Sequence, residues 1–246
     1  MKFTGLKIPR KIIKTMEEKE RIFFIQFGEI LNEINILYRC FLATSNLKWE
    51  TEVEQKAKIS QLFFFIRSLA SKLYEGWNII NSGYVESALS LKIDKSLGNQ
   101  ATDSLFEIRK YFGRKNNILI IRNKLGFHYE YKMVGDGIKN LEEIEENDLK
   151  IFLTPSIGNC IYSLSDAIIF AGMKKDLMLS NPDEIFGQLM DEITQNCRHF
   201  QTFGDECLSK IMGPYQDSIN HKEDYEITTA PLSTEIKLPQ FIEIRK

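Results

Sequence analysis

From Lys11 to about Thr44, apolar residues recur at three- and four-residue steps, at Ile12, Met16, Phe23, Phe27, Ile30, Ile34, Leu37 and Phe41, with no proline among them. Such a stripe can be buried on one side only if the segment is helical, because a strand would send alternate members to opposite faces. The spacing predicts one long amphipathic helix over 11–44, weakened slightly by Gly28. The pattern returns from Thr51 to about Asn81 through Ile59, Leu62, Phe63, Ile66, Leu69, Leu73, Trp77 and Ile80. Thr51 and Glu54 have capping-box spacing at its start, and Asn81-Ser82-Gly83 supplies a stop. The polar turn around Asn46 to Glu50 is short enough to make the two helices antiparallel neighbours.

Shorter helices are expected over about 86–95 and 102–112, with Gly113 as a stop before a segment opening at Asn116. Gly135-Asp136-Gly137 reads as a turn leading into an acidic helix through Glu142, Glu143, Glu145 and Glu146, and 149–153 as a short strand. Two more helices are expected over 156–173 and about 183–212, the second preceded by Asn181-Pro182. The fold class predicted is all-α, an antiparallel helical bundle. A single domain over 1–213 would hold a core of about 11–131 and additional helices over about 135–213, followed by an extended, proline-containing tail over 214–246.

The chain has 246 residues, 43% of them hydrophobic, enough for a substantial buried core. A net charge of −2 and a pI near 6.0 exclude a protein that coats nucleic acid through bulk charge, so any such contact needs a local patch. The first residues lack the apolar run and cleavage site of a secretory signal, and runs such as Leu62–Ile66 are too short to cross a bilayer. A cytoplasmic protein with no membrane partner is expected. Cys40, Cys160, Cys197 and Cys207 are widely spread and read as reduced thiols.

One window departs from the acidic average. Between Glu107 and Glu130 there is no acidic residue, while Arg109, Lys110, Arg114, Lys115, Arg122 and Lys124 all fall there, with His128 near its end. Arginine offers a planar fork of donors to phosphate oxygens, and histidine exchanges a proton near neutral pH. Those are the two groups that RNA cleavage without a metal requires, one to move the 2′-hydroxyl proton and one to stabilise charge on the phosphate. On a single helix, positions six apart are rotated by roughly 120° and separated by about 9 Å. Either the helix ends near Gly126, or a second copy of the chain completes the site across a two-fold axis.

Arg122, the polar Asn123 directly after it, and His128 resemble the arginine, polar residue and downstream histidine signature of the HEPN superfamily of helical-bundle proteins. The surrounding strings Tyr111-Phe112-Gly113-Arg114-Lys115-Asn116-Asn117 and Phe127-His128-Tyr129 carry the likeness further. Many HEPN members are metal-independent ribonucleases, acting as toxins or in defence against phage, with a cleft shared across a homodimer. The resemblance implies phosphate binding by Arg122, orientation by Asn123 and acid-base work by His128. Arg109, Lys110, Arg114, Lys115, Lys124 and Tyr129 would bind RNA around them. It implies no metal and no cofactor, and as partners a second copy, an RNA substrate and a cognate antitoxin protein. Glu130 stands where some toxin members carry a modified tyrosine.

Other readings remain open from the residues. Ile118, Ile121, Leu125 and His128 share a helical stripe, so His128 also reads as a hydrogen-bonded core histidine, and Arg122 as an ion-pair partner of an acidic helix. Some HEPN-like proteins are catalytically inactive dimerisation or binding modules. Cys197 and His199, two apart on a helix, make poor zinc ligands. Phe63, Phe64, Phe65 and Trp77 are expected in the core.

Overall fold

The computed structural model describes residues 1–126, 130–178, 185–219 and 222–243. The protein is all-α, 69% helical, with nine α-helices and a two-stranded sheet among the described residues. The helices are α1 (Arg10–Thr15), α2 (Glu18–Ser45), α3 (Glu52–Gly83), α4 (Ala88–Ile93), α5 (Asn99–Phe112), α6 (Asn117–Leu125), α7 (Tyr131–Lys139), α8 (Ser163–Lys174) and α9 (Ile185–Met212). Strands β1 (Lys2–Leu6) and β2 (Lys222–Glu226) pair antiparallel, Lys2 opposite Glu226 and Leu6 opposite Lys222. The chain forms two compact units, neither continuous in sequence. The first comprises Met1–Asn35, Lys72–Arg114 and Gln195–Leu232; the second comprises Ile36–Ser71, Lys115–Thr194 and Ser233–Lys246.

The long stripe expected over 11–44 is divided between two helices. Thr15 Oγ1 donates to the Ile12 carbonyl at 2.9 Å and Met16 turns extended (φ −61°, ψ 145°), which ends α1 and lets the Met16 side chain bury. Glu18 and Glu20 then occupy the first turn of α2, where the helix dipole favours acidic side chains. At the start of α3 the capping box forms as the spacing predicts. Thr51 N donates to Glu54 Oε2 at 2.9 Å, and Glu54 N donates to Thr51 Oγ1 at 3.3 Å. Backbone donors from Glu50 and Thr51, with the Thr51 hydroxyl, hold the Glu54 carboxyl below its ordinary range.

The first unit is built on buried aromatic rings. Phe23 stacks on Phe27 at 5.1 Å, and Tyr84 packs against Phe23 at 5.6 Å and edge-on to Phe203 at 5.3 Å. Sections of α2 and α9 and the end of α3 thereby share one core, to which such pairs add about 0.5–1.5 kcal/mol each beyond area burial. The buried Tyr84 hydroxyl donates to Asp94 Oδ1 at 2.6 Å, which satisfies the one polar group in the cluster. Phe112 continues the seam, stacking with Trp77 and meeting Phe200 edge-on.

In the second unit, Gly135-Asp136-Gly137 lies inside α7 and not in a turn, and the acidic stretch after it forms short 3-10 turns in place of the expected helix. The cause is a close approach of two helix backbones. A Cβ on Gly137 would stand 2.0 Å from the Ile168 carbonyl oxygen, and one on Gly172 would stand 2.1 Å from that of Met133. Helix α8 starts at Ser163, later than expected, because 156–162 forms a loop. In place of a strand over 149–153 there is a single bridge between Phe152 and Ile161. Phe63 and Phe65 are buried as expected, but Phe64 points outward at 52% exposure, since its position falls opposite the stripe of α3. Asn181-Pro182 lies outside the described residues.

The C-terminal stretch is divided. Residues 213–218 coil into a 3-10 segment whose neighbour Ile219 packs with Ile12 and Met212, and β2 pairs with the N-terminal strand. From Ser233 the chain runs along the second unit. Asn46 Nδ2 donates to the Ile236 carbonyl, Gln240 Nε2 to the Glu54 carbonyl and Gln61 Nε2 to the Pro239 carbonyl. Replacing Gly137 with valine is expected to lower stability by more than about 2 kcal/mol, since a new side chain would be forced against backbone. Urea denaturation followed by circular dichroism checks this; an unchanged midpoint would show that α7 and α8 separate at little cost.

Candidate functional site

Helix α6 carries the arginine-asparagine pair, and two neighbouring asparagines fix its start. Asn116 Oδ1 accepts from Leu119 N at 2.8 Å as the N-cap, satisfying one of the first-turn amides. Asn117 is buried. Its Nδ2 donates to Glu192 Oε1 at 2.8 Å and its Oδ1 accepts from Met178 N at 2.7 Å, tying α6 to α9 and to the end of the α8 segment. Ile118, Ile121 and Leu125 are buried as one stripe. The helix ends at Leu125, with Gly126 N donating to the Arg122 carbonyl at 3.1 Å.

Arg122 is half-buried in the last turn, and its Nη1 donates to Oδ1 of the exposed Asn123 at 3.1 Å. The amide thereby holds one side of the guanidinium fork. His128 and Tyr129 lie outside the described residues. Lys124 is committed elsewhere. Its ammonium meets Asp176 at 2.8 Å and Glu130 at 3.2 Å, and the Asp176 hydrogen bond, with help from Glu130 and against desolvation, pushes its pKa up. The window that holds no acid in sequence therefore has acidic side chains around it in space.

Helix α5 presents a different cluster. Thr102, Phe106, Arg109 and Lys110 recur at four-, three- and one-residue steps and line, with Asp94, Leu97 and Leu105, a cleft of about 630 Å³. Phe106 is 62% exposed, and the Lys110 ammonium lies 5.8 Å from its ring centre while also meeting the Glu107 carboxylate at 3.1 Å. Phe106 was not expected in the site, although its spacing from Arg109 and Lys110 places it on their face. Arg114 and Lys115 are exposed in the turn between α5 and α6. Arg109, Lys110 and Arg114 belong to the first compact unit, and Lys115, Arg122, Asn123 and Lys124 to the second.

No cluster of three or more metal-ligating side chains occurs among the described residues. Cys197 and Cys207 are buried thiols whose burial pushes their pKa up, and His199 Nδ1 lies 3.4 Å from Ser104 Oγ. No helix among the described residues is long and apolar enough to cross a membrane. No family model matches the chain, and neither a curated protein nor a solved structure matches it.

Asn117→Ala is expected to destabilise the protein by about 2 kcal/mol, because it removes both hydrogen bonds made by a buried side chain, to Glu192 and from the Met178 amide, whereas Asn123→Ala at the exposed position should change stability by less than about 0.5 kcal/mol. Denaturant titration of both variants distinguishes the asparagine that anchors α6 from the one on its exposed face.

Proposed function

We propose that this protein is a metal-independent endoribonuclease of HEPN type, with Arg122, Asn123 and His128 as its site. The observation that carries the reading is the Arg122–Asn123 hydrogen bond in the last turn of a helix whose start is fixed by a cap and a buried amide. The Asn123 amide holds the guanidinium in one orientation, which would lower the entropy lost when its planar fork meets a phosphate. His128 would supply the proton transfer, removing the 2′-hydroxyl proton as its oxygen attacks phosphorus or protonating the leaving 5′-oxygen. A homodimer would place two such sets in one cleft, each able to take one of those roles. The α5 cleft supports single-stranded RNA as the substrate class, since an exposed ring beside two cations suits base stacking with phosphate neutralisation.

A second reading is a catalytically silent RNA-binding module. It is favoured by the pairing of Lys124 with Asp176 and Glu130, which removes one cation from the neighbourhood of Arg122, while the α5 cleft is unaffected.

Purified protein incubated with total RNA in EDTA is expected to cleave it and leave 2′,3′-cyclic phosphate ends, with His128→Ala and Arg122→Ala each slower by about 10²–10⁴-fold. Cleavage retained in His128→Ala removes the nuclease assignment. An inert wild type that still binds a labelled single strand, with affinity lost in a Phe106→Ala/Arg109→Ala double variant, establishes the binding module instead.

A further inference from the structure

Helices α3 and α8 leave a cavity of about 330 Å³ between them in the second unit, lined at helical spacing by Lys56, Ile59, Ser60 and Phe63 from one and Ser163, Asp166, Ala167 and Phe170 from the other. Phe63 and Phe170 meet edge-on at 6.1 Å, and Phe186 adds a third ring to the wall. The polar groups are few and specific. Lys56 is ion-paired with Asp148, so those two charges cancel. Asp166 accepts a hydrogen bond from the Ser60 hydroxyl through Oδ2. Burial pushes the Asp166 carboxyl up, opposed by Ser60 and, less strongly, by the Arg67 charge.

Asp166 and Ser60 also line an adjoining, more polar cavity of about 380 Å³, whose wall includes Gln61 and, from the C-terminal stretch, Gln240 and Phe241. Gln61 Oε1 is buried and accepts no hydrogen bond among the described residues, while its Nε2 is bonded to the Pro239 carbonyl. A buried acceptor left without a donor has lost its water without compensation, and a ligand donor would restore the missing bond. The two cavities thus meet at a carboxylate and a hydroxyl, with aromatic walls on one side and an unsatisfied oxygen on the other. A small apolar pocket with a few convergent polar groups is the usual form of a ligand site.

We infer that this paired cavity binds a small organic amine, its aromatic or branched apolar body between Phe63, Phe170 and Phe186 and its ammonium donating to Asp166 and toward Gln61 Oε1. The junction holds two acceptors, Asp166 and Gln61 Oε1, and a carboxylate ligand would meet Asp166 with like charge; Arg67, a cation acting on Asp166, lies 5.1 Å from the Phe63 ring centre, and its effect on Asp166 is smaller than that of the Ser60 hydrogen bond. The inference is independent of the RNA reading, since neither Arg122 nor the α5 cleft takes part.

The test uses 2-phenylethylamine as probe and phenylacetate as its charge-reversed counterpart, with binding followed by protein NMR shifts. A probe of about nine heavy atoms should bind saturably with a Kd on the order of 1 mM. Phenylacetate, the Asp166→Asn protein and the Ala167→Trp protein should each bind at least about tenfold more weakly, corresponding to about 1.4 kcal/mol. Circular dichroism and the melting temperature confirm that each variant is folded, and Asp166→Asn keeps the shape of the native side chain should Ala167→Trp fail to fold. Equal binding of phenylacetate, unchanged affinity in Asp166→Asn, or no saturable binding of the amine overturns the inference.

Discussion

Three helices of 28, 32 and 28 residues, α2, α3 and α9, impose the main constraint on this chain, because each carries an apolar stripe that must be covered along its whole length. No short element can do that alone. Each long helix accordingly contributes a section to both compact units, and the shorter elements serve as cover within one unit or the other. In the first, Phe112 of α5 closes the aromatic seam against Trp77 and Phe200, which sets the rotation of α5 and leaves Phe106, Arg109 and Lys110 facing outward. In the second, α6 to α8 and the C-terminal stretch perform the same task.

The placement of α6 shows how a polar group can matter more than a hydrophobic one for a site. Burial of Ile118, Ile121 and Leu125 fixes which face of the helix points inward but constrains sliding along its axis weakly. Asn117 supplies the missing restraint, since its two directional hydrogen bonds, to Glu192 and to the Met178 amide, are satisfied at one position only. Arg122 and Asn123, on the last turn of the same short helix, inherit that position.

Charge behaves differently from periodicity. The stretch between Glu107 and Glu130 is free of acids in sequence, yet Asp176 reaches Lys124 and Glu192 reaches Asn117 from elsewhere in the chain. A local count of charges therefore overstates the positive potential around α6. Around Arg109 and Lys110 the acids are Glu107, on their own helix and paired with Lys110, and Asp94, which lines the same cleft.

The sequence by itself determined the all-α class, the long helices, the capping box at Thr51 and Glu54, the opening of a segment at Asn116 and the stop at Gly113. Each of these rests on interactions between residues within about four positions of one another, which spacing encodes directly. It identified Arg122 and Asn123 as neighbours for the same reason. Only the tertiary structure decided that Gly135-Asp136-Gly137 is helical and that Met16 interrupts the first stripe. It also decided that the C-terminal stretch is shared between a strand and a strap on the second unit, and that Asp166, Ser60 and Gln61 surround adjoining cavities. Glycine permits a turn and a close helix crossing equally well, and a carboxylate reads the same in sequence whether exposed or enclosed. Which of these occurs is settled when two helix faces meet, because contact between backbones and the loss of water are properties of the pair.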